Sequence, residues 1–199
     1  MQHITALTTQ EIRTALKQST PTDALDRMYR LDATTGAVYY SDEYLSSRAG
    51  KTGPKPHRGA LGYVKGGRYL AHIVPGTRKN VYLHRLVFRL HHGRWPAADL
   101  TIDHINGDKH DNRPENLREV DNATNNENRN RVNKNNTTGY TGVRRSGRKF
   151  TAMLGHKREY LYLGTFDTAQ EAHERYLQAK AEYHKGWVPQ AAQTGAQAA

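Results

Sequence analysis

The chain has 199 residues, of which 36% are hydrophobic, and its mean hydropathy is -0.90. This composition favours two small domains over one large core. Lys and Arg number 30 against 19 Asp and Glu, and the net charge of +11 predicts nucleic acid, ahead of a membrane surface, as the partner. No apolar run approaches the roughly 20 residues that span a bilayer. The absence of cysteine excludes disulfides, cysteine-bound zinc and a thiol nucleophile.

Residues 1–27 are predicted to form an N-terminal helical segment, with a helix over residues 8–18. Thr8 and Glu11 have the spacing of a capping box at its start. The first residues lack the charged and apolar regions of a secretory signal. We therefore expect the protein to stay in the cytoplasm.

The next stretch, residues 28–40, is apolar and aromatic and is interrupted by DATTG. This pattern is typical of a hairpin in which Gly36 adopts a positive φ. The further predictions up to residue 93 are an exposed basic loop over residues 46–62, β stretches over residues 68–74 and 80–82, and a helix from Leu83 that Gly93 ends.

Residues 100–131 contain the densest group of polar side chains in the chain. Their apolar residues and turn signals predict the order strand, loop, strand, helix. The predicted elements are a strand ending at Asp103 and His104, a helical turn beginning at Pro114, a strand over residues 117–120, and a helix from the N-cap Asp121 through Arg131.

This grouping suits the hydrolysis of a phosphodiester, which needs an activated water, a cation and a protonated leaving oxygen. A neutral histidine, with its pKa of about 6.5, suits the base, so His104 is the candidate. Asp103 and Asn125 offer the oxygen ligands that one Mg²⁺ or Mn²⁺ per active site requires. Asn126 and Asn128 are nearby alternatives to Asn125. Because only one carboxylate is available, a DNA phosphate is expected to complete the coordination.

The strings HRLV, DHINGDKHDNRPENLR and NNENRN resemble the HNH nucleases of bacteriophages, including homing-type enzymes, over about residues 29–131. The resemblance implies that Asp103 and Asn125 bind one divalent metal ion and that His104 activates water. It also implies that Asn116 braces the loop and orients this histidine.

Residues beside these positions are secondary candidates. His84 of HRLV is a possible catalytic residue, although its place on an amphipathic helix favours a structural hydrogen bond. Arg113 and Arg118 are candidates for holding DNA phosphates. Salt bridges with Glu115 or Glu119 are the alternative for these two arginines.

After a polar linker over residues 132–139, residues 140–188 are predicted to form a three-stranded sheet covered by one helix. The helix spans about residues 168–184 and starts with a capping box of Thr168 and Glu171. The expected turns lie at Ser146–Gly147 and at Gly155–His156. The expected core is Phe150, Ala152 and Leu154 of the sheet with Ala169, Ala172, Tyr176, Ala179 and Tyr183 of the helix.

The opposite face of this sheet is expected to be free and basic. TGVRRSGRKFTAML and YLGTFDTAQEAHERY, within residues 139–183, are similar to the plant APETALA and ethylene-response-factor type of DNA-binding domain. The resemblance implies that this face enters the major groove. Thr141 and Ser146 depart from the plant pattern, so its base code does not transfer. The positions implied to face DNA are Arg144, Lys149 and Thr151.

The predicted fold class is α+β: a ββα-metal HNH nuclease domain over residues 28–131 with an N-terminal β/α extension, then a three-stranded antiparallel sheet plus one helix. A disordered tail is expected over residues 189–199. The expected function is Mg²⁺-dependent, sequence-specific cleavage of double-stranded DNA, of the homing type, by a monomer in the bacterial host of a phage. The alternatives are a non-catalytic DNA-binding regulator on a degenerate HNH scaffold and, less favoured, an RNA-binding protein. Nicking and double-strand cleavage are both left open.

Overall fold

The chain, in a computed structural model, divides into two compact units. The first contains the chain up to His104 together with Asp108–Val120, and the second contains Ile105–Gly107 and the chain from Asp121 onwards. The structure describes residues 8–15, 23–49, 58–66, 69–75, 77, 79–128 and 135–189.

In the first unit, short helices alternate with antiparallel strands. The helices are α1 (Thr9–Ala15), α2 (Asp23–Met28), α3 (Asp42–Ser47) and α4 (Leu83–His92), with a 3-10 turn over Pro114–Asn116. The strands are β1 (Tyr29–Asp32), β2 (Ala37–Tyr40), β3 (Tyr63–Lys65), β4 (Tyr69–Val74), β5 (Lys79–Tyr82), β6 (Thr101–His104) and β7 (Leu117–Val120). β1 pairs with β2, β3 to β5 form one sheet in chain order, and β6 pairs with β7.

Helix α4 lies in the apolar core of the first unit. Leu86 and Val87 on α4 are fully buried, and so are Met28 of α2 and Val38 of β2. Full burial of such side chains contributes about 1.5–3 kcal/mol each. Gly93, at φ 71, ends the helix as predicted.

The predicted hairpin is confirmed as β1 and β2, and Gly36 has a φ of 70°. A Cβ on this glycine would lie 2.5 Å from the carbonyl oxygen of Asn112 and closer still to Asn112 C and Arg113 N. The turn therefore presses against the backbone of the segment before β7. Only glycine satisfies both the dihedral angle and this close approach.

The second unit contains a short helix, α5, and a sheet packed against a longer helix. Its elements are α5 (Asn122–Glu127), β8 (Val143–Ser146), β9 (Lys149–His156), β10 (Glu159–Phe166) and α6 (Ala169–Tyr183). The sheet is antiparallel, with β9 between β10 and β8.

Small residues bring α6 close to this sheet. Ala172 and Ala179 on the helix are fully buried, as are Ala152 and, at 1% exposure, Leu154 on β9. Tyr176 lies between them and is also buried. The predicted capping box at the start of α6 is confirmed by both of its hydrogen bonds.

Two predictions for the second unit are wrong. The second turn is formed by Lys157 and Arg158, both with positive φ, and not by Gly155–His156, because β9 continues through His156. Tyr183, expected in the core, is 40% exposed. It lies at the last position of α6, where its ring meets the ring of His156 edge-on.

Asp121 caps α5 as predicted, since its side chain accepts a 2.7 Å hydrogen bond from Thr124 N. The helix has its C-cap at Asn128. Parts of several predictions lie outside the described residues: the end of the first helix at 16–18, loop residues 50–57, residue 68, residues 129–134 and the tail from residue 190. No helix among the described residues is long and apolar enough to cross a membrane.

Candidate active site

Strand β6 ends in the adjacent residues Asp103 and His104. Across the hairpin, Asp103 stands opposite Arg118 and His104 stands opposite Leu117. The two polar side chains are only 7% and 4% exposed. Such burial is costly unless hydrogen bonds or ion pairs compensate it, and both residues have these partners.

His104 is held by Asn112 in the 108–113 loop, the segment that precedes the 3-10 turn. The distance from His104 Nε2 to Asn112 Oδ1 is 3.1 Å. Because an amide oxygen only accepts, Nε2 carries the proton and Nδ1 carries the lone pair. This is the tautomer that a general base acting through Nδ1 requires.

The environment of His104 also keeps it neutral. Burial lowers the pKa of His104 below 6.5, while the bond to Asn112 and the charges of Asp103, Asp108 and Asp111 act in the opposite direction. The lowering prevails, so the imidazole is neutral at pH 7. A neutral imidazole is able to accept a proton from water.

Asn116 holds the loop that in turn holds the histidine. Its Nδ2 donates a 2.7 Å hydrogen bond to the carbonyl oxygen of Asp111, the neighbour of Asn112. Asn112 is 3% exposed and Asn116 is 5% exposed. Sequence analysis assigned the orienting role to Asn116 and did not single out Asn112. The only signal for Asn112 was its place in the string DNRPENLR.

Arg113 also holds the 108–113 loop in place, through two acidic side chains. Its Nη2 donates to Asp111 Oδ2 and its Nη1 to Glu115 Oε1, both at 2.9 Å. The salt bridge with Glu115, predicted as the alternative to phosphate binding, is therefore present. The side chain is partly exposed, which leaves it accessible to solvent.

Arg118 contacts the predicted metal ligand directly. Its Nε and Nη2 donate to Asp103 Oδ2 at 3.0 and 2.9 Å. The expected alternative partner, Glu119, is instead bound by the guanidinium of Arg94. The reason is the strand alternation of β7, which directs neighbouring residues to opposite faces. Charge-assisted bonds of this kind orient the carboxylate.

Aromatic rings enclose the other side of His104. The ring of His84 on α4 meets the ring of His104 edge-on, with centroids 5.3 Å apart, and also packs on Tyr69 and Tyr82. Burial, followed by the charges of His104 and Arg85, lowers the pKa of His84 to about 3. His84 Nδ1 is buried without a hydrogen-bond partner. Nδ1 therefore does not make the structural hydrogen bond that was predicted for the His84 side chain.

The three asparagines on or beside α5 differ in their surroundings. Asn128 is buried; its Nδ2 donates to the carbonyl oxygen of Ile105 and its Oδ1 accepts from Val188 N, both at 3.3 Å. Its amide oxygen is thus already used in holding the second unit together. Asn125 is partly exposed and Asn126 is exposed. Among these three candidates, the contacts disfavour Asn128 as a metal ligand.

Residues 81–127 match the model of a protein family described as HNH endonuclease. This segment of the chain is therefore similar to HNH endonucleases. The match runs from β5 to the last residue of α5 and so includes Asp103, His104, Asn116 and Asn125. Comparison with curated proteins and with solved structures finds no match. The nuclease assignment therefore has independent support, while the resemblance of residues 139–183 to a plant DNA-binding domain stays a prediction.

Outside the matched residues, the face of the β8 to β10 sheet that is opposite α6 carries exposed polar and aromatic side chains. Arg144 and Thr151 are cross-strand neighbours on this face. Lys149 lies on the same face and forms a 2.9 Å ion pair with Asp167. Sequence analysis missed two tyrosines there: Tyr160 and Tyr162 are 77% and 66% exposed. Their alternation with the partly buried Leu161 and Leu163 along β10 was the available signal.

Proposed function

We propose that this chain is a DNA endonuclease that hydrolyses phosphodiester bonds of double-stranded DNA at a chosen sequence. The observation that carries the proposal is the 3.1 Å hydrogen bond between His104 and Asn112 within the HNH match. It holds a neutral, buried imidazole beside the carboxylate of Asp103. A base and a cation ligand at one strand end are what the reaction needs.

His104 is the proposed base. Its Nδ1 accepts a proton from the attacking water, whose oxygen forms a new bond to phosphorus while the bond from phosphorus to the 3′ oxygen breaks and this oxygen takes a proton from solvent. Asn112 keeps the accepting nitrogen in place, and Asn116 keeps the loop of Asn112 in place. We assign His84 a positioning role, because its ring packs against the ring of His104.

Asp103 and Asn125 are the proposed protein ligands of one Mg²⁺ or Mn²⁺, the type of divalent ion expected of a ββα-metal centre. The fit rests on donor chemistry, since carboxylate and amide oxygens are ligands that these hard cations accept. When bound, the ion neutralises charge that develops on the phosphate. Asn125 is chosen by its position in the family string and because the amide of Asn128 is occupied. Arg113 and Arg118 are proposed to contact phosphate.

Sequence recognition is assigned to the second unit. Arg144, Lys149 and Thr151 lie on an exposed sheet face, and arginine reads guanine through paired hydrogen bonds in the major groove. Tyr160 and Tyr162 add apolar surface to that face. The homing role, the phage origin, the cytoplasmic location and the monomeric state remain predictions from the sequence.

The first test is cleavage of a supercoiled plasmid pool with randomised inserts, with Mg²⁺ or with EDTA. His104→Ala should lower the cleavage rate at least about 100-fold, the contribution typical of a general base, while DNA binding persists. His91→Ala, which removes an exposed histidine of α4, is the matched control and should cleave normally. Equal cleavage by the wild type and His104→Ala would exclude His104 as the base.

The ion pair between Arg118 and Asp103 favours a second candidate, a DNA-binding regulator on an inactive HNH scaffold. The guanidinium already neutralises the carboxylate that a metal ion would need. In that case the wild type would bind DNA tightly and cut nothing with Mg²⁺ or Mn²⁺. Metal-dependent nicking by the wild type eliminates this candidate.

A further inference from the structure

Three potential metal ligands converge within the second unit. Glu127 ends α5, His156 ends β9 and His184 follows α6 directly. Each offers one ligand atom, and these atoms all lie within 4.8 Å of one another. None of the three belongs to the proposed nuclease centre. They come from distant positions in the sequence, so only the fold of this unit brings them together.

His184 has the arrangement typical of a metal-binding histidine. Its Nε2 donates a 2.8 Å hydrogen bond to the carbonyl oxygen of Gly155, which places the lone pair on Nδ1. Nδ1 is buried and has no hydrogen-bond partner, and the residue as a whole is only 9% exposed. Metal-binding histidines usually donate their second nitrogen to a carbonyl or carboxylate in this way. An unpartnered buried nitrogen is costly, and a cation would relieve that cost.

The backbone around His184 is held close to α5. Glu127 Oε2 accepts a 3.2 Å hydrogen bond from Gly186 N, which orients the carboxylate. A Cβ on Gly186 would lie 2.8 Å from the carbonyl oxygen of Thr124, so a larger residue does not fit there. Glu127 and the backbone that follows His184 are therefore held in place by direct contacts. Such fixed ligands lose little freedom when an ion binds.

A buried lysine, Lys180, interacts electrostatically with the carboxylate of Glu127. Burial lowers the pKa of Lys180 to about 8, while the charge of Glu127 acts against that shift. The ammonium group also lies 5.2 Å from the centre of the Trp187 ring, which solvates it in part.

We propose that Glu127, His156 and His184 form a metal site for Zn²⁺ or a similar transition cation. Two imidazoles and one carboxylate suit Zn²⁺, whereas Mg²⁺ and Ca²⁺ prefer ligand sets made of oxygen alone. The fourth tetrahedral position is left for water. The ion joins the end of α5 to the end of β9 and to the segment after α6. Its role is to stabilise the second unit, because binding energy at such a site adds to the folding energy.

The test is titration of the full-length protein with Zn²⁺, and with Co²⁺ followed by its visible absorption, at pH 7.5. Wild type should bind, and His156→Ala, His184→Ala and Glu127→Gln should each weaken binding at least about tenfold. Glu127→Gln retains an oxygen for Gly186 N and therefore changes the ligand while preserving this hydrogen bond. Asp103→Ala should keep the signal, which separates this site from the nuclease centre.

His173→Ala is the control for general destabilisation, because His173 packs on Tyr140 and Tyr176 in the same unit. It should lower the melting temperature and leave the Co²⁺ spectrum unchanged. Zn²⁺ should raise the melting temperature of the wild type and of His173→Ala, but not that of His184→Ala. The proposal is overturned if wild type binds neither ion, or if the ligand variants bind as tightly as wild type.

Discussion

The 108–113 loop, which lies within the family match, and the free face of the β8 to β10 sheet differ in how exposed their polar side chains are. Asn112 in the loop is 3% exposed and is hydrogen-bonded to His104. On the sheet, Tyr160 is 77% exposed and Arg144 is exposed. Chemistry requires groups fixed before the substrate arrives, whereas recognition requires groups that a partner can reach. The comparison predicts that substitutions in the loop affect folding and rate, and that substitutions on the sheet affect affinity.

The largest expected effect on stability comes from the glycine that supports the loop. Gly36→Ala should lower the free energy of unfolding by about 2–4 kcal/mol, because a Cβ at φ 70 also meets the backbone of Asn112. Gly93→Ala is the control, with φ 71 and nothing within 4 Å. Gly93→Ala should lower the free energy of unfolding by only about 1 kcal/mol. Urea unfolding measures this quantity for both variants, and equal losses would contradict the contact between Gly36 and the backbone of Asn112.

Asn112→Ala is expected to reduce the cleavage rate about 10- to 100-fold with little change in DNA binding, since His104 loses its orientation. The hydrogen bond that His104 donates to Asn112 raises the pKa of His104, so its removal lowers that pKa further. The acid limb of the pH–rate profile should therefore move to lower pH. Asn112→Asp, which keeps an acceptor and adds a negative charge, should restore rate and move the limb to higher pH. A slower variant with an unshifted profile would indicate a structural role alone.

The burial of His84 makes the stability of the first unit dependent on pH. Folded His84 takes up a proton only near pH 3, whereas the unfolded chain does so near 6.5. Neutral His84 gives its full contribution to the free energy of unfolding above pH 6.5. This contribution is lost as the pH falls from 6.5 towards 3, because the unfolded chain takes up the proton first. The slope is about 1.4 kcal/mol per pH unit for one proton. The free energy of unfolding, measured from pH 7 to 4, should fall more steeply for wild type than for His84→Phe. Equal slopes would refute the lowered pKa of His84.

The smallest effect is expected on the sheet face. Arg144→Ala should weaken binding to the target sequence about 5- to 50-fold, the cost of one arginine–guanine pair, with the unfolding curve unchanged. Lys149→Ala should have less effect, because Lys149 already pairs with Asp167. Arg175→Ala on α6, the helix that covers the opposite face of the sheet, is the control. Electrophoretic mobility shifts measure all three, and unchanged site preference in Arg144→Ala would contradict recognition by this face.

Much of the local structure was predictable from periodicity and turn residues. The hairpin at Gly36, helix α4 with its end at Gly93, and the caps at Asp121 and Thr168 all follow from interactions within a few residues of one another. The wrong turn at Gly155–His156 has a clear cause. Glycine usually marks a turn, but here the strand pairing continues past it and places Lys157 and Arg158 in left-handed conformations.

The sequence by itself pointed to a nuclease, because the string from Asp103 to Asn125 has a specific spacing, and this string lies within the family match. Tertiary structure alone decided which partners those residues have. The bond from Asn112 to His104, the ion pair of Arg118 with Asp103, and the meeting of Glu127, His156 and His184 join side chains whose contact no local pattern encodes. Short-range periodicity reports burial and backbone angles, whereas partner choice depends on where separate elements pack.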